Sequence, residues 1–148
     1  MIEYIQGDLF DNLPETHCVI PHIVNNRGGW GKGFVVPLGQ RFPKAEQVYR
    51  EWFGQPDFKL GNNKWYRENN VYIVHMLAQR GYKSWSNPIP LDYYALELCM
   101  KNVSEKVITD PIYTVKFGAG LAGGDWDRIE DMIKSIWSNR KVFIFEKD

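Results

Sequence analysis

The chain has 148 residues, 44% of them hydrophobic and 24% charged, enough for a buried core and too close to the globular average for a disordered chain. Eighteen lysines and arginines balance eighteen aspartates and glutamates. That balance argues against a general nucleic-acid or membrane-surface binder, while leaving room for a nucleotide-sized ligand. No apolar run approaches the roughly 18 residues that a membrane span needs, and Met1-Ile2-Glu3 opens no basic-then-apolar leader. A cytoplasmic protein of one domain, residues 1–148, is expected. Cys18 and Cys99 sit far apart in apolar runs and read as buried small hydrophobes.

Taken in order, Met1 to Ile5 predicts a short strand ended by Gln6-Gly7-Asp8. Cys18-Val19-Ile20-Pro21-His22 predicts a second strand, its near-continuous apolar character matching burial on both faces of an α/β sheet. The stretch His22 to Phe34 follows, and Gly28, Gly29, Gly31 and Gly33 make it glycine-rich. Such a loop between a strand and a helix turns its N–H groups toward whatever sits there, and phosphate suits that geometry. His22, Asn25 and Lys32 add donors, so the loop reads as the floor of an anion site.

A helix over Phe34 to Gln40 tolerates Pro37 only in its first turn. Pro43 starts another helix, with Ala45, Val48, Tyr49, Trp52 and Phe53 on one face. Trp65-Tyr66 predicts a short edge strand, and Val71 to Leu77 is the clearest buried strand. A polar loop from Gln79 to Pro90 precedes a helix marked by Leu91, Tyr94, Ala95 and Leu98 that runs to about Val103. Lys106 to Thr109 and Tyr113 to Lys116 read as two short strands or as one interrupted by Asp110-Pro111. A second glycine loop, Phe117 to Trp126, leads into a helix striped by Ile129, Met132, Ile133, Ile136 and Trp137, and Val142 to Phe145 closes the chain as a strand. Alternating strands and helices without repeats predict an α/β domain. In such sheets the ligand lies beyond the carboxyl ends of the strands, where both glycine loops belong.

Several chemistries lack their motifs. There is no GxxxxGK[ST] phosphate loop and no GxSxG elbow. Gly29-Trp30-Gly31-Lys32-Gly33 only superficially resembles a dinucleotide fingerprint. His17, His22 and His75 have no ligand spacing to cysteines or carboxylates, so neither a metal site nor a cofactor is expected. His22 is the one residue placed for acid–base or nucleophilic work, set against the plainer reading of a structural strand-end histidine; His75 reads as a core histidine. Asp125 reads as a helix cap or, failing that, a chemical group. Trp30, Trp126 and Phe34 fit either packing or a face offered to a sugar or base.

Gly7-Asp8 after the first strand, the asparagine- and glycine-rich loop, and Gly118-Ala119-Gly120-Leu121 before a late helix together resemble a macrodomain, the ADP-ribose-binding fold, from about Ile2 to Phe145. His22-x-x-Asn25-x-x-Gly28-x-Trp30-Gly31-x-Gly33, followed by Arg41-Phe42-Pro43-Lys44-Ala45-Glu46, is similar to the yeast-type ADP-ribose-1″-phosphate phosphatases. The resemblance implies a three-layer α/β domain, a central mixed sheet flanked by helices. It implies Asp8 on the adenine amino group with Leu9 nearby, and Phe145 stacked on adenine. Asn25 and the loop Gly28, Gly29, Trp30, Gly31, Lys32, Gly33 and Phe34 would wrap the distal ribose. Gly118, Ala119, Gly120, Leu121, Ala122 and Gly123 would bind the diphosphate through backbone N–H groups. His22, Asn25 and Asp125 are the residues expected to carry a metal-independent phosphatase reaction on ADP-ribose-1″-phosphate.

Two other activities stay open: binding ADP-ribose without turnover, and removing it from ADP-ribosylated protein or nucleic acid. Related macrodomains that do the latter use a lysine after the central strand and an acid after the second loop's Gly-Leu, positions held here by Gln79 and Ala122, with Arg80, Lys83 and Asp125 close by. A monomer is expected.

Overall fold

The computed structural model describes residues 1–147. Its strands are β1 (Ile2–Gln6), β2 (Cys18–Asn25), β3 (Asn63–Glu68), β4 (Val71–Gln79), β5 (Ile112–Thr114) and β6 (Val142–Glu146). Its helices are α1 (Val35–Arg41), α2 (Pro43–Trp52), α3 (Tyr93–Lys106) and α4 (Trp126–Ile136), and a single 3₁₀ turn covers Leu9–Asp11. The strands form one sheet in the order β1-β6-β5-β2-β4-β3, parallel throughout except for the antiparallel edge strand β3.

Side chains alternate across the sheet, and the alternation sorts the core into two layers. On one face Val19, Val74, Met76, Ala78, Ile112, Val142 and Ile144 pack under α3 and α4. On the other, Cys18, Ile20, Val24, Ile73, Leu77 and Phe145 pack under α1 and α2. Helix, sheet and helix therefore make the three-layer α/β arrangement with a mixed sheet that the resemblance implied. Both cysteines are free and buried, and burial pushes each thiol up to about 12.

Pro37 falls in the first turn of α1 and Pro43 opens α2, where a missing N–H leaves no bond unmade. Three expectations need correction. Phe53 lies past the end of α2 in an extended conformation and is exposed, so the buried stripe stops at Trp52. No strand forms at Lys106 to Thr109: the buried series Ala95, Leu96, Cys99, Met100 and Val103 carries α3 through Lys106, and the only strand there is Ile112–Thr114. β2 also runs three residues beyond His22, so Ile23, Val24 and Asn25 belong to the sheet, with a bulge between Val24 and Asn25.

The chain after β2, after β4 and after β5 leaves from the carboxyl ends of neighbouring parallel strands. Those three connections meet above the middle of the sheet.

Candidate active site

Where they meet lies a cleft of about 570 Å³, within the size range of small-ligand sites. The end of β2 and the first glycine loop supply His22, Asn25, Gly29, Gly31, Lys32, Gly33 and Phe34. The second loop supplies Gly118, Gly120, Leu121 and Ala122. These eleven are expected site residues, and the fold brings them together from positions almost 100 apart in sequence.

Side chains shape the first loop. Asn25 Oδ1 accepts the N–H groups of Arg27 (2.9 Å) and Gly29 (3.1 Å), and its Nδ2 donates to the Gly29 carbonyl (3.0 Å). The Tyr49 hydroxyl donates to the Asn25 backbone carbonyl at 2.6 Å. Asn25 is therefore chiefly the brace of the loop, with only part of its amide left for a ligand. The second loop is held by its own backbone: Gly123 N–H bonds Gly120 O at 3.0 Å, and Gly124 N–H bonds Gly118 O at 2.8 Å. Among the described residues no acceptor takes up the N–H groups of Gly31, Lys32 and Gly33 or of Gly118, Gly120, Leu121 and Ala122. Two sets of unengaged backbone donors thus border one cleft. The loops approach each other at Leu121, whose methyl lies 3.1 Å from where a Cβ on Gly33 would stand.

The charge of the cleft is one-sided. Lys32, Lys83 and Lys116 line it, and no aspartate or glutamate does among the described residues. Lys116 is paired with Glu146 at 2.6 Å, whereas neither Lys32 nor Lys83 takes part in an ion pair among the described residues. A cleft whose charged lining groups are all cations favours anions.

His22 is 2% exposed and forms part of the cleft floor. The parallel register of β2 and β4 sets it directly beside His75. His22 Nε2 lies 2.6 Å from His75 Nδ1, and His75 Nε2 lies 2.8 Å from the Ala45 carbonyl oxygen on α2. Aromatic rings surround the pair, with Trp30 edge-on to both histidines and Tyr49 edge-on to His75. Burial, reinforced by His75, holds the His22 imidazole well below its ordinary range. Burial takes His75 down to about 4, against the smaller opposing effect of its bond to Ala45. Both are neutral at pH 7. His75 is a core histidine as expected, and its contact with His22 joins it to the site.

The remaining expected residues lie outside the cleft. Asp125, expected both as a helix cap and among the residues carrying the reaction, caps α4 by accepting the Asp127 N–H at 3.0 Å and does not line the cleft. Asp8 caps the 3₁₀ turn through Phe10 N–H (2.8 Å) and pairs with Lys147 (2.9 Å), which together hold its carboxyl below the usual range. Leu9 and Phe145 are buried, and Phe145 is stacked on Tyr113 at 5.8 Å. Gly28 rests against Phe53, Trp30 stands behind the loop in the aromatic cluster, and Ala119 and Gly123 shape the second loop from outside.

The third wall was not anticipated as a site. It is the connection after β4, where Gln79, Tyr82 and Lys83 line the cleft. Gly81 N–H bonds Asn26 Oδ1 at 2.8 Å, and the Tyr82 hydroxyl occupies the space a Cβ at Gly29 would need. Gly81 and the serines of this polar segment are the only sequence hint. Arg80 points elsewhere, paired with Asp92 at 2.9 Å. Gln79, which donates to the Gly81 carbonyl, and Ala122 of the second loop stand where the resemblance expects a lysine and an acid in glycohydrolases.

The cleft, its two amide-rich loops and the three-layer sheet are those of a macrodomain. No protein-family model matches the chain. A *Candida albicans* protein named ADP-ribose 1″-phosphate phosphatase is 35% identical over 92% of this chain and 94% of its own. Among solved structures, a *Bacteroides thetaiotaomicron* protein of unknown function superposes with a TM-score of 0.90 at 35% identity, covering 98% of this chain and 97% of its own. A *Streptomyces coelicolor* macrodomain protein superposes with a TM-score of 0.82 at 29% identity, covering 99% of each. The chain belongs to the macrodomain family, on the side of the ADP-ribose-1″-phosphate phosphatases.

Proposed function

We propose that the protein binds ADP-ribose-1″-phosphate in this cleft and hydrolyses it to ADP-ribose and inorganic phosphate. One observation carries the reading: among the described residues, two sets of unengaged backbone N–H groups and two lysines outside any ion pair converge on a cleft that has no carboxylate in its lining but an imidazole in its floor. The glycine-loop amides suit a diphosphate and a terminal phosphate, ligands rich in acceptors and negative charge. The kinship with yeast phosphatases supports the same substrate.

In the reaction a water oxygen bonds to phosphorus and the bond from phosphorus to the ribose 1″-oxygen breaks. The bonding pair stays on that oxygen, which gains a proton. Loop amides and the Lys32 and Lys83 ammonium groups stabilise the charge that gathers on the phosphoryl oxygens. His22 is unprotonated across the neutral range, so its imidazole is available to orient the attacking water and accept its proton. Binding without turnover is the second reading, favoured by the absence of any carboxylate base among the described lining residues.

Calorimetry with ADP-ribose, followed by phosphate release from ADP-ribose-1″-phosphate, separates the two. His22→Ala is expected to abolish release while ADP-ribose still binds; binding by the unaltered protein with no release establishes the second reading. The same proposal takes the protein as a cytoplasmic monomer, which light scattering at one chain's mass tests for the oligomeric state.

A further inference from the structure

We infer that His75 is a positioning residue: it locks His22 in the tautomer protonated on Nε2, so that the bare Nδ1 is the atom His22 brings to the reaction. The inference rests on the phosphatase reading for its kinetic consequence, though not for its structural content.

The argument starts at the Ala45 carbonyl, which can only accept. At 2.8 Å, His75 Nε2 must donate to it, because a bare nitrogen there would set two lone pairs against each other in a buried site. A neutral His75 then carries no proton on Nδ1, and at 2.6 Å His22 Nε2 must be the donor to it. Charging His75 to reverse this order would place an imidazolium among Trp30 and Tyr49 in a fully buried position. The remaining nitrogen, His22 Nδ1, is therefore an acceptor. It is buried and receives no hydrogen bond from the described residues, an uncommon state for a buried polar atom and one that needs a reason.

The direction of the chain, from His22 through His75 to α2, is fixed by fold elements that no ligand has to assemble. Register places the two histidines side by side on β2 and β4, both on the face that α2 covers. A hydrogen bond at one ring nitrogen setting the role of the other is the general way in which proteins fix a histidine tautomer. Here the partner that sets it is a second histidine, and a backbone carbonyl sets the partner in turn.

The test has a spectroscopic arm and a kinetic arm. Long-range ¹⁵N–¹H correlation of the imidazole rings in the unaltered, ligand-free protein is expected to show His22 protonated on Nε2 and bare on Nδ1; the opposite tautomer overturns the inference. His75→Leu removes the acceptor for His22. It is expected to lower kcat roughly 10-fold or more while KM and the ADP-ribose Kd stay within about 2-fold of their original values. His75→Asn, which keeps a side-chain acceptor near the Nδ1 position, is expected to recover most of the lost kcat. Equal impairment of the two variants, or a loss confined to KM, overturns the positioning role. If His75→Leu does not fold, the tautomer measurement and His75→Asn still decide. If no phosphate is released by the unaltered protein, the function reading fails and the tautomer result stands by itself.

Discussion

The two glycine loops border the same cleft and are built on opposite principles. The first takes its shape from side chains: Asn25 braces it from within, the His22–His75 pair and Trp30 lie beneath it, and Tyr82 closes on it from the third wall. The second takes its shape from a lack of side chains. A Cβ at position 123 would stand 2.7 Å from the Pro88 carbonyl oxygen, and one at position 124 would meet Leu91 at 2.5 Å and the Gly118 carbonyl at 2.6 Å. Below it are apolar groups, Phe117, Ile129 and Leu91. The first loop can therefore be tuned through polar chemistry underneath it, whereas the second is a fixed rim of amides. That division suits a site in which one end does chemistry and the other holds the ligand.

Acid should expose the difference most strongly. A histidine whose pKa is depressed in the folded state leaves the unfolded chain binding more protons as pH falls below the ordinary value, so folding loses stability there. For His75, from 6.5 down to about 4, the loss grows between those two pH values and levels off below the lower. It amounts to about 3 kcal/mol at 1.36 kcal/mol per unit, and His22 adds to it in the same direction. Urea denaturation at pH 7 and pH 4.5 is expected to show a lower midpoint in acid, with the share of the drop due to His75 missing in His75→Asn and that due to His22 remaining. An equal drop in both proteins would move the acid sensitivity elsewhere.

Substitution breaks the loops one at a time. Gly123 has φ near +70°, so Gly123→Ala combines a left-handed backbone penalty of roughly 1–2 kcal/mol with the clash against Pro88. A stability loss of about 2 kcal/mol or more and weaker ADP-ribose binding are expected, checked by denaturation and calorimetry. Asn25→Ala removes the brace of the first loop and leaves the Gly29 N–H and carbonyl to find other partners. A stability loss of about 1–2 kcal/mol is expected, with turnover falling further than ADP-ribose affinity. Equal falls would mean that the first loop does no more than hold the ligand.

Much of this architecture is legible in the sequence because it is written in local patterns. Val71 to Leu77 is apolar but for His75 because both faces of β4 are covered, and Ala45, Tyr49 and Trp52 recur at helical spacing because α2 has one buried face. The glycine loops announce themselves for the steric reasons given above. What the sequence does not reveal is register and reach. His22 and His75 are 53 residues apart, and only the pairing of β2 with β4 makes them a unit. Tyr82 and Lys83 sit in a polar segment like any surface loop, and it is contacts such as the Gly81–Asn26 and Asn26–Gln79 bonds that fold that segment over the first loop. The adenine roles expected of Asp8, Leu9 and Phe145 came from resemblance. In this structure Asp8 caps the 3₁₀ turn, Leu9 is buried and Phe145 is stacked on Tyr113, all three outside the lining of the cleft.

The smallest effect belongs to the third wall. The Tyr82 hydroxyl lies over Gly29 without a hydrogen-bond partner among those described, so the ring, more than the hydroxyl, does the covering. Tyr82→Phe keeps the ring and is expected to leave the ADP-ribose Kd within about 2-fold, a change under roughly 0.5 kcal/mol. Tyr82→Ala removes the cover, and stopped-flow binding is expected to show faster dissociation with little change in association, since loss of a closing contact acts on the escape rate. If Tyr82→Phe instead weakens binding as much as Tyr82→Ala, the hydroxyl itself contacts the ligand. The third wall would then belong with the first loop, as a region whose polar side chains take part in recognition.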